Sequence, residues 1–156
     1  MSIKIVNEIP KPIIKKPNYE STETLREQLY KDIKEAFLSG VSRFEFVDYP
    51  HQPDYLATIA RSAAFRVFKD FVFPQAKEYA IAEVTKEVGN DIKVYVPAPQ
   101  YNTVIEIHGV TLPDGEKHIY GEIHYDRATA YKEVLYGKAR IETMKRYEAH
   151  QKNSAF

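Results

Sequence analysis

Apolar residues recur at helical spacing at Leu25, Leu29, Ile33, Ala36 and Phe37, which predicts a helix over 22–39 with one buried stripe. Ser21 or Thr22 supplies its start and Gly40 its stop. The pattern then alternates over Val41–Val47, a strand with Phe44 and Phe46 on one face. After the turn-rich Tyr49-Pro-His-Gln-Pro53, Asp54 is the expected cap of a second helix. Leu56, Ala60, Ala63, Val67 and Phe71 line one side of it, with Ile59 and Ala64 beside them. Phe65 and Val72 fall off that stripe, so the helix is apolar on two sides and suits burial between layers or a subunit contact. Pro74 breaks or kinks it, because proline lacks the amide hydrogen and crowds the preceding turn. Helix resumes near Gln75 with Ala76, Tyr79, Ala80 and Val84, and ends at Gly89-Asn90.

Ile92, Val94 and Val96 alternate with Lys93 and Tyr95, which reads as a half-buried strand, and Pro97 to Tyr101 as a stiff bend. Two alternating segments follow, Thr103–Val110 and His118–Asp126, separated by Leu112-Pro-Asp-Gly115. A Pro-Asp-Gly turn closes a hairpin through a type I turn followed by a left-handed glycine. Pairing Leu112 with Glu116 sets Val110 opposite His118, His108 opposite Tyr120, Glu106 opposite Glu122 and Val104 opposite His124. Ile105, Ile107, Ile119, Ile123 and Tyr125 then share the other face, a core face. Asp126 is the expected cap of a last long helix carrying Tyr131, Leu135, Ala139, Met144 and Tyr147, weakened by Gly137 by up to about 1 kcal/mol.

At the start, Ile3–Val6 is a short strand or part of an arm. Pro10, Pro12 and Pro17 among lysines keep the chain extended, and Ile9, Ile13 and Ile14 are candidate anchors on a neighbouring subunit. The expected organisation is an extended arm over 1–20, one domain over 21–150 and a frayed tail over 151–156, with Phe156 a candidate for docking. With strands mainly in the second half, the fold class is α+β: a small, mostly antiparallel sheet with a C-terminal hairpin and helices packed on one face.

The hairpin also gathers the chemistry. Glu106-Ile-His108 and Glu122-Ile-His124 repeat a tripeptide, and the register brings two carboxylates and three imidazoles, with His118 the third, to one face. Facing glutamates cost up to about 1 kcal/mol, so a cation, a protonated histidine or a metal is expected beside them. Glu106, His108, Glu122 and His124 are the right types for a Zn²⁺ or Mn²⁺ site, provided twist makes them converge. The plainer reading is a wet sheet face with diagonal His–Glu contacts. Beyond the hairpin, His124 leads into a helix start with Arg127, where free amides suit a phosphate. Tyr120, Tyr101 and Tyr131 could stack on a base, and Arg61 and Arg66 are either a solvated helix face or anion clamps.

Charge narrows the partners. Lys and Arg number 22, as do Asp and Glu, so no global field draws the chain to nucleic acid or to an acidic membrane. Without cysteine there are no disulfides, thiolate ligands or thiol nucleophile. No apolar run reaches membrane length and no signal-peptide segment opens the chain, which gives a cytoplasmic expectation. No residue pattern marks a nucleophile or an oxyanion hole, so a binder is favoured over an enzyme.

Lys4-Ile-Val-Asn-Glu-Ile-Pro-Lys-Pro12 and Asp32-Ile-Lys-Glu-Ala-Phe-Leu-Ser-Gly-Val-Ser-Arg-Phe-Glu-Phe46 look like the small accessory proteins of bacterial viruses. The resemblance covers about the first 50 residues in style, and carries over no ligand or catalytic residue. It implies an anti-defence protein in the host cytoplasm. The leading expectation is a homo-oligomeric binder that sequesters a phosphate-bearing, nucleotide-derived signal through His108, Tyr120, His124, Arg127, Tyr131, Arg61 and Arg66. The alternatives are a metal-dependent hydrolase of such a ligand, and an inhibitor of a host protein.

Overall fold

The computed structural model of the protein describes residues 2–5, 22–100 and 103–154. In chain order the elements are β1 (Ser2–Ile5), α1 (Thr22–Leu38), β2 (Arg43–Val47), α2 (Pro53–Val67), α3 (Phe73–Val88), β3 (Ile105–Thr111), β4 (Lys117–Ile123) and α4 (Tyr125–Ser154). The fold is α+β, and none of these helices is long and apolar enough to cross a membrane. The chain divides into two compact units. The first takes residues 1–68 and 102–125, the second 69–101 and 126–156.

The first unit is a four-stranded antiparallel sheet, ordered β1-β2-β4-β3. Residues 2–5, read as a short strand or part of an arm, form an edge strand with Ile3 buried opposite Phe46. The rest of that arm, with its prolines and isoleucine anchors, lies outside the described residues. The hairpin has the register counted from its turn: Val110 faces His118, His108 faces Tyr120 and Glu106 faces Glu122. Gly115, at φ 85°, donates to Leu112 O (2.8 Å), and Leu112 N–H to Glu116 O (2.7 Å), the turn-plus-glycine closure that this sequence calls for.

Ile105, Ile107, Ile119 and Ile123 are buried on one face of the sheet beside Phe44 and Phe46. α2 lies along β3 and β4 and pairs with α1, whose buried stripe is Leu25, Leu29, Ile33 and Ala36. Full burial of each of these large aliphatic side chains contributes about 1.5–3 kcal/mol. Gly121 sets the depth of this layer. The ring of Phe44, its cross-strand partner, lies so close over it that a Cβ there would come within 2.1 Å of the ring. Tyr125, at the exit from β4, donates to the Phe37 carbonyl (2.8 Å), with those of Ala36 and Val41 at 3.3 and 3.2 Å, and so occupies the C-terminal end of α1.

α2 begins at Pro53, with Gln52 at the cap, so Asp54 falls in the first turn rather than at the cap. Proline suits the first helical position, where its missing amide has no partner to lose. At the far end a π-helical turn, Phe68–Val72, precedes Pro74 and takes up the break that this proline imposes.

In the second unit α3 and α4 pack through Ala76, Ala80 and Val84 against Leu135 and Ala139. Ile92–Val96 forms no strand. Val94 and Val96 pack on this helical core, and Tyr95 N–H is satisfied by the buried Thr143 hydroxyl (2.9 Å) instead of by a ladder. The alternation was correct about which side chains turn inward and misleading about what receives the backbone. α4 starts at Tyr125, so Asp126 too lies inside the first turn, and the helix continues through Ser154, past the point where fraying was expected.

Candidate metal centre

β3 and β4 carry their chemistry on the face opposite the isoleucines. Glu106 and Glu122 are cross-strand partners, His108 is two residues further along β3, and His124 stands just beyond β4. His124 N–H still bonds Val104 O (2.7 Å), so its backbone stays in register while the chain turns into α4. Side chains on a flat sheet face project in parallel and would keep these groups apart. Placed at the strand end, His124 instead reaches back over β3, and its Nε2 lies 2.9 Å from Glu106 Oε2 and 3.8 Å from Glu122 Oε1. From the other side, His108 Nε2 lies 3.5 Å from Glu106 Oε2 and 3.5 Å from Glu122 Oε2. Each imidazole therefore meets both carboxylates.

A tetrahedron of nitrogen and oxygen ligands about 2.1 Å from Zn²⁺ has edges of roughly 3.4 Å. The separations of His108 Nε2 from Glu106 Oε2 and from Glu122 Oε2, 3.5 Å each, are close to that edge. Of the four, Glu106, His108 and Glu122 present one ligand atom each within 4.8 Å of one another, while His124 Nε2 is hydrogen-bonded to Glu106 Oε2. The set is asymmetric in exposure: His124 and the carboxylates are half-buried, whereas the His108 side chain is 49% exposed. An ion held here would have its solvent side toward His108.

The same face carries a second histidine–carboxylate pair. Glu45, on β2 opposite Tyr120, hydrogen-bonds His118 Nδ1. The Glu45 side chain is 10% exposed, and Glu116 Oε2 stands 3.5 Å from His118 Nε2. The hydrogen bond to Glu45 outweighs burial and holds the His118 pKa above its ordinary value. Tyr120, whose ring stacks on His118 with centroids 6.1 Å apart, is pushed up by burial first and then by the Glu45 charge. Glu45 and His118 also line a cavity of about 210 Å³ with Asp48, Tyr49, His51 and Leu56. That is below the roughly 300 Å³ at which pockets for drug-sized ligands begin, so it does not suit a nucleotide.

The remaining candidates go elsewhere. Arg61 Nη2 approaches Ile107 O at 3.4 Å. This carbonyl turns outward from edge strand β3, because the even-numbered residues of β3 make the bonds to β4. Arg66 bonds Glu27 Oε1 at 2.6 Å and lies 4.0 Å from the Tyr30 ring centroid, tying α2 to α1. Arg127 and Tyr131 belong to the second unit, where Tyr131 packs on the α3–α4 core and burial raises its pKa. Tyr101 lies outside the described residues.

Two charged residues of this face escaped sequence reasoning, Arg43 and Glu45. Their alternation with Phe44 and Phe46 signals a polar face on β2, but β2 pairing with β4 is a long-range choice that no local pattern states. Comparison with protein-family models, with curated proteins and with solved structures finds no match for the chain.

Proposed function

We propose that this is a metal-binding protein in which Glu106, His108, Glu122 and His124 hold one divalent ion on the polar face of the β3–β4 hairpin, and that the exposed side of the ion takes up a ligand. One observation carries the reading: the Nε2 atoms of both histidines lie within 3.8 Å of both carboxylates. Two imidazoles favour zinc, manganese or a similar transition metal over magnesium or calcium, which prefer oxygen ligands. An ion would also neutralise the facing glutamates. To ligate through Nε2, each histidine must carry its remaining proton on Nδ1, so the ion would replace the hydrogen bond that His124 Nε2 makes to Glu106.

Capture of the ligand is favoured over its cleavage. The other carboxylate and imidazole of this face, Glu45 and His118, are bound to each other rather than poised to move a proton. Calorimetric titration of the metal-free chain with Zn²⁺ tests the proposal, with native mass spectrometry for stoichiometry. One ion per chain is expected, with affinity roughly 100-fold lower in His124→Ala, since each of four ligands supplies about a quarter of the binding free energy. No ion retained by the native chain would sink it. Intact phenyl phosphate after incubation with the Zn²⁺ form is the result expected of a binder, and released phenol would make the protein a hydrolase.

A further inference from the structure

We infer that the metal centre takes an oxyanion, specifically a phosphate group, held between the ion and Arg43; this rests on the metal-binding reading above. Arg43, on β2, is the cross-strand partner of Glu122. Ile123 N–H donates to Ser42 O (2.8 Å), so Arg43 and Glu122 form the adjacent non-hydrogen-bonded pair, in which facing side chains come closest. Arg43 Nε lies 3.9 Å from Glu122 Oε1, longer than a hydrogen bond, and the side chain is 55% exposed. The guanidinium thus forms a long ion pair with a ligand carboxylate, short of a hydrogen bond, and its planar fork of donors is the geometry that grips a phosphate through two oxygens.

Charge sets the condition. Glu106 and Glu122 together balance a divalent ion, and neutral imidazoles add nothing. With the ion in place Arg43 leaves this group of residues with one net positive charge. Without it, two carboxylates face one guanidinium, and an anion is repelled. Phosphate binding at this face therefore depends on the metal. The ion supplies one contact, and Arg43, on the β2 side of Glu122, supplies the others.

The test uses the full chain and inorganic phosphate as the probe, titrated by calorimetry into the Zn²⁺-loaded and metal-free forms of the native protein, Arg43→Gln and Arg43→Lys. Phosphate should bind the loaded native protein and not the metal-free one. Arg43→Gln should lose phosphate affinity by roughly 10–100-fold, the range of a charged hydrogen-bonding pair, with Zn²⁺ affinity within about twofold of native. Arg43→Lys should recover only part of it, because an ammonium cannot bind in the bidentate fashion. Phosphate binding of equal strength in Arg43→Gln, equal binding by the metal-free form, or none by the loaded native protein overturns the phosphate site while leaving the metal reading intact. Failure of the native chain to take up Zn²⁺ overturns both.

Discussion

Two histidine–glutamate groupings share the polar face of one sheet, and they are built to different ends. In the first, His118 is hydrogen-bonded through Nδ1 to Glu45, a carboxylate whose side chain is nine-tenths buried, with the exposed Glu116 3.5 Å from its other nitrogen. The hydrogen bond offsets the cost of lost hydration on Glu45 and on His118 Nδ1. In the second, two carboxylates and two imidazoles converge so that each imidazole meets both carboxylates, with His108 half in solvent. The chemistry is the same, but the stoichiometry differs. The first grouping centres on one buried carboxylate, whereas the second faces two carboxylates across the strands and keeps an open side at His108. The first grouping holds strands together, and the second is where an ion fits.

The largest effect comes from removing the ground that both groupings share. Gly121→Ala drives a Cβ into the Phe44 ring, and should lower unfolding free energy in urea by about 1–3 kcal/mol or more. A substitution tolerated within a few tenths of a kcal/mol would show that the ring over Gly121 moves freely. Next comes Glu45→Gln, which takes the charge from His118's carboxylate partner. It should cost about 1–3 kcal/mol of stability and leave Zn²⁺ affinity unchanged, separating the structural pair from the metal set.

A smaller effect is the dependence on pH. The His118 pKa is raised in the folded chain, so its contribution is present in full below the ordinary histidine value and is lost as pH rises through the raised one. Native protein should therefore lose stability with rising pH in that window, and His118→Asn should flatten the slope. An unchanged slope would show that Glu45 does not hold the imidazolium. The smallest effect belongs to the metal-free second grouping, where Glu122→Gln relieves the facing charges and should raise stability by a few tenths to about 1 kcal/mol while abolishing stabilisation by Zn²⁺.

The hairpin was legible because its information is local. Pro113-Asp114-Gly115 fixes the turn, the turn fixes the register, and the register puts Glu106 opposite Glu122. The helices over 22–38 and 73–88 were legible through their stripes and their glycine stops, Gly40 and Gly89, both at positive φ. The neighbours of the hairpin were not. Arg43 and Glu45 reach this face because β2 pairs with β4 across about half of the chain's length, a choice made by the packing of Phe44 over Gly121. The segment 92–96 misled for the converse reason: an alternating pattern shows which side chains are buried, and a threonine hydroxyl satisfies a backbone amide as well as a neighbouring strand does. Arg66 looked like an anion clamp because the partner that claims it, Glu27, lies 39 residues away.

The central distinction between the two groupings reduces to a single titration. Co²⁺, which reports its coordination through visible absorption, is added to metal-free native protein, to Glu45→Gln and to the double variant Glu106→Gln/Glu122→Gln. Native chain and Glu45→Gln should each bind one ion with the strong absorption of a four-coordinate site, and the double variant none. Equal binding by all three, or binding lost with Glu45 rather than with Glu106 and Glu122, would contradict the assignment of the metal to the hairpin.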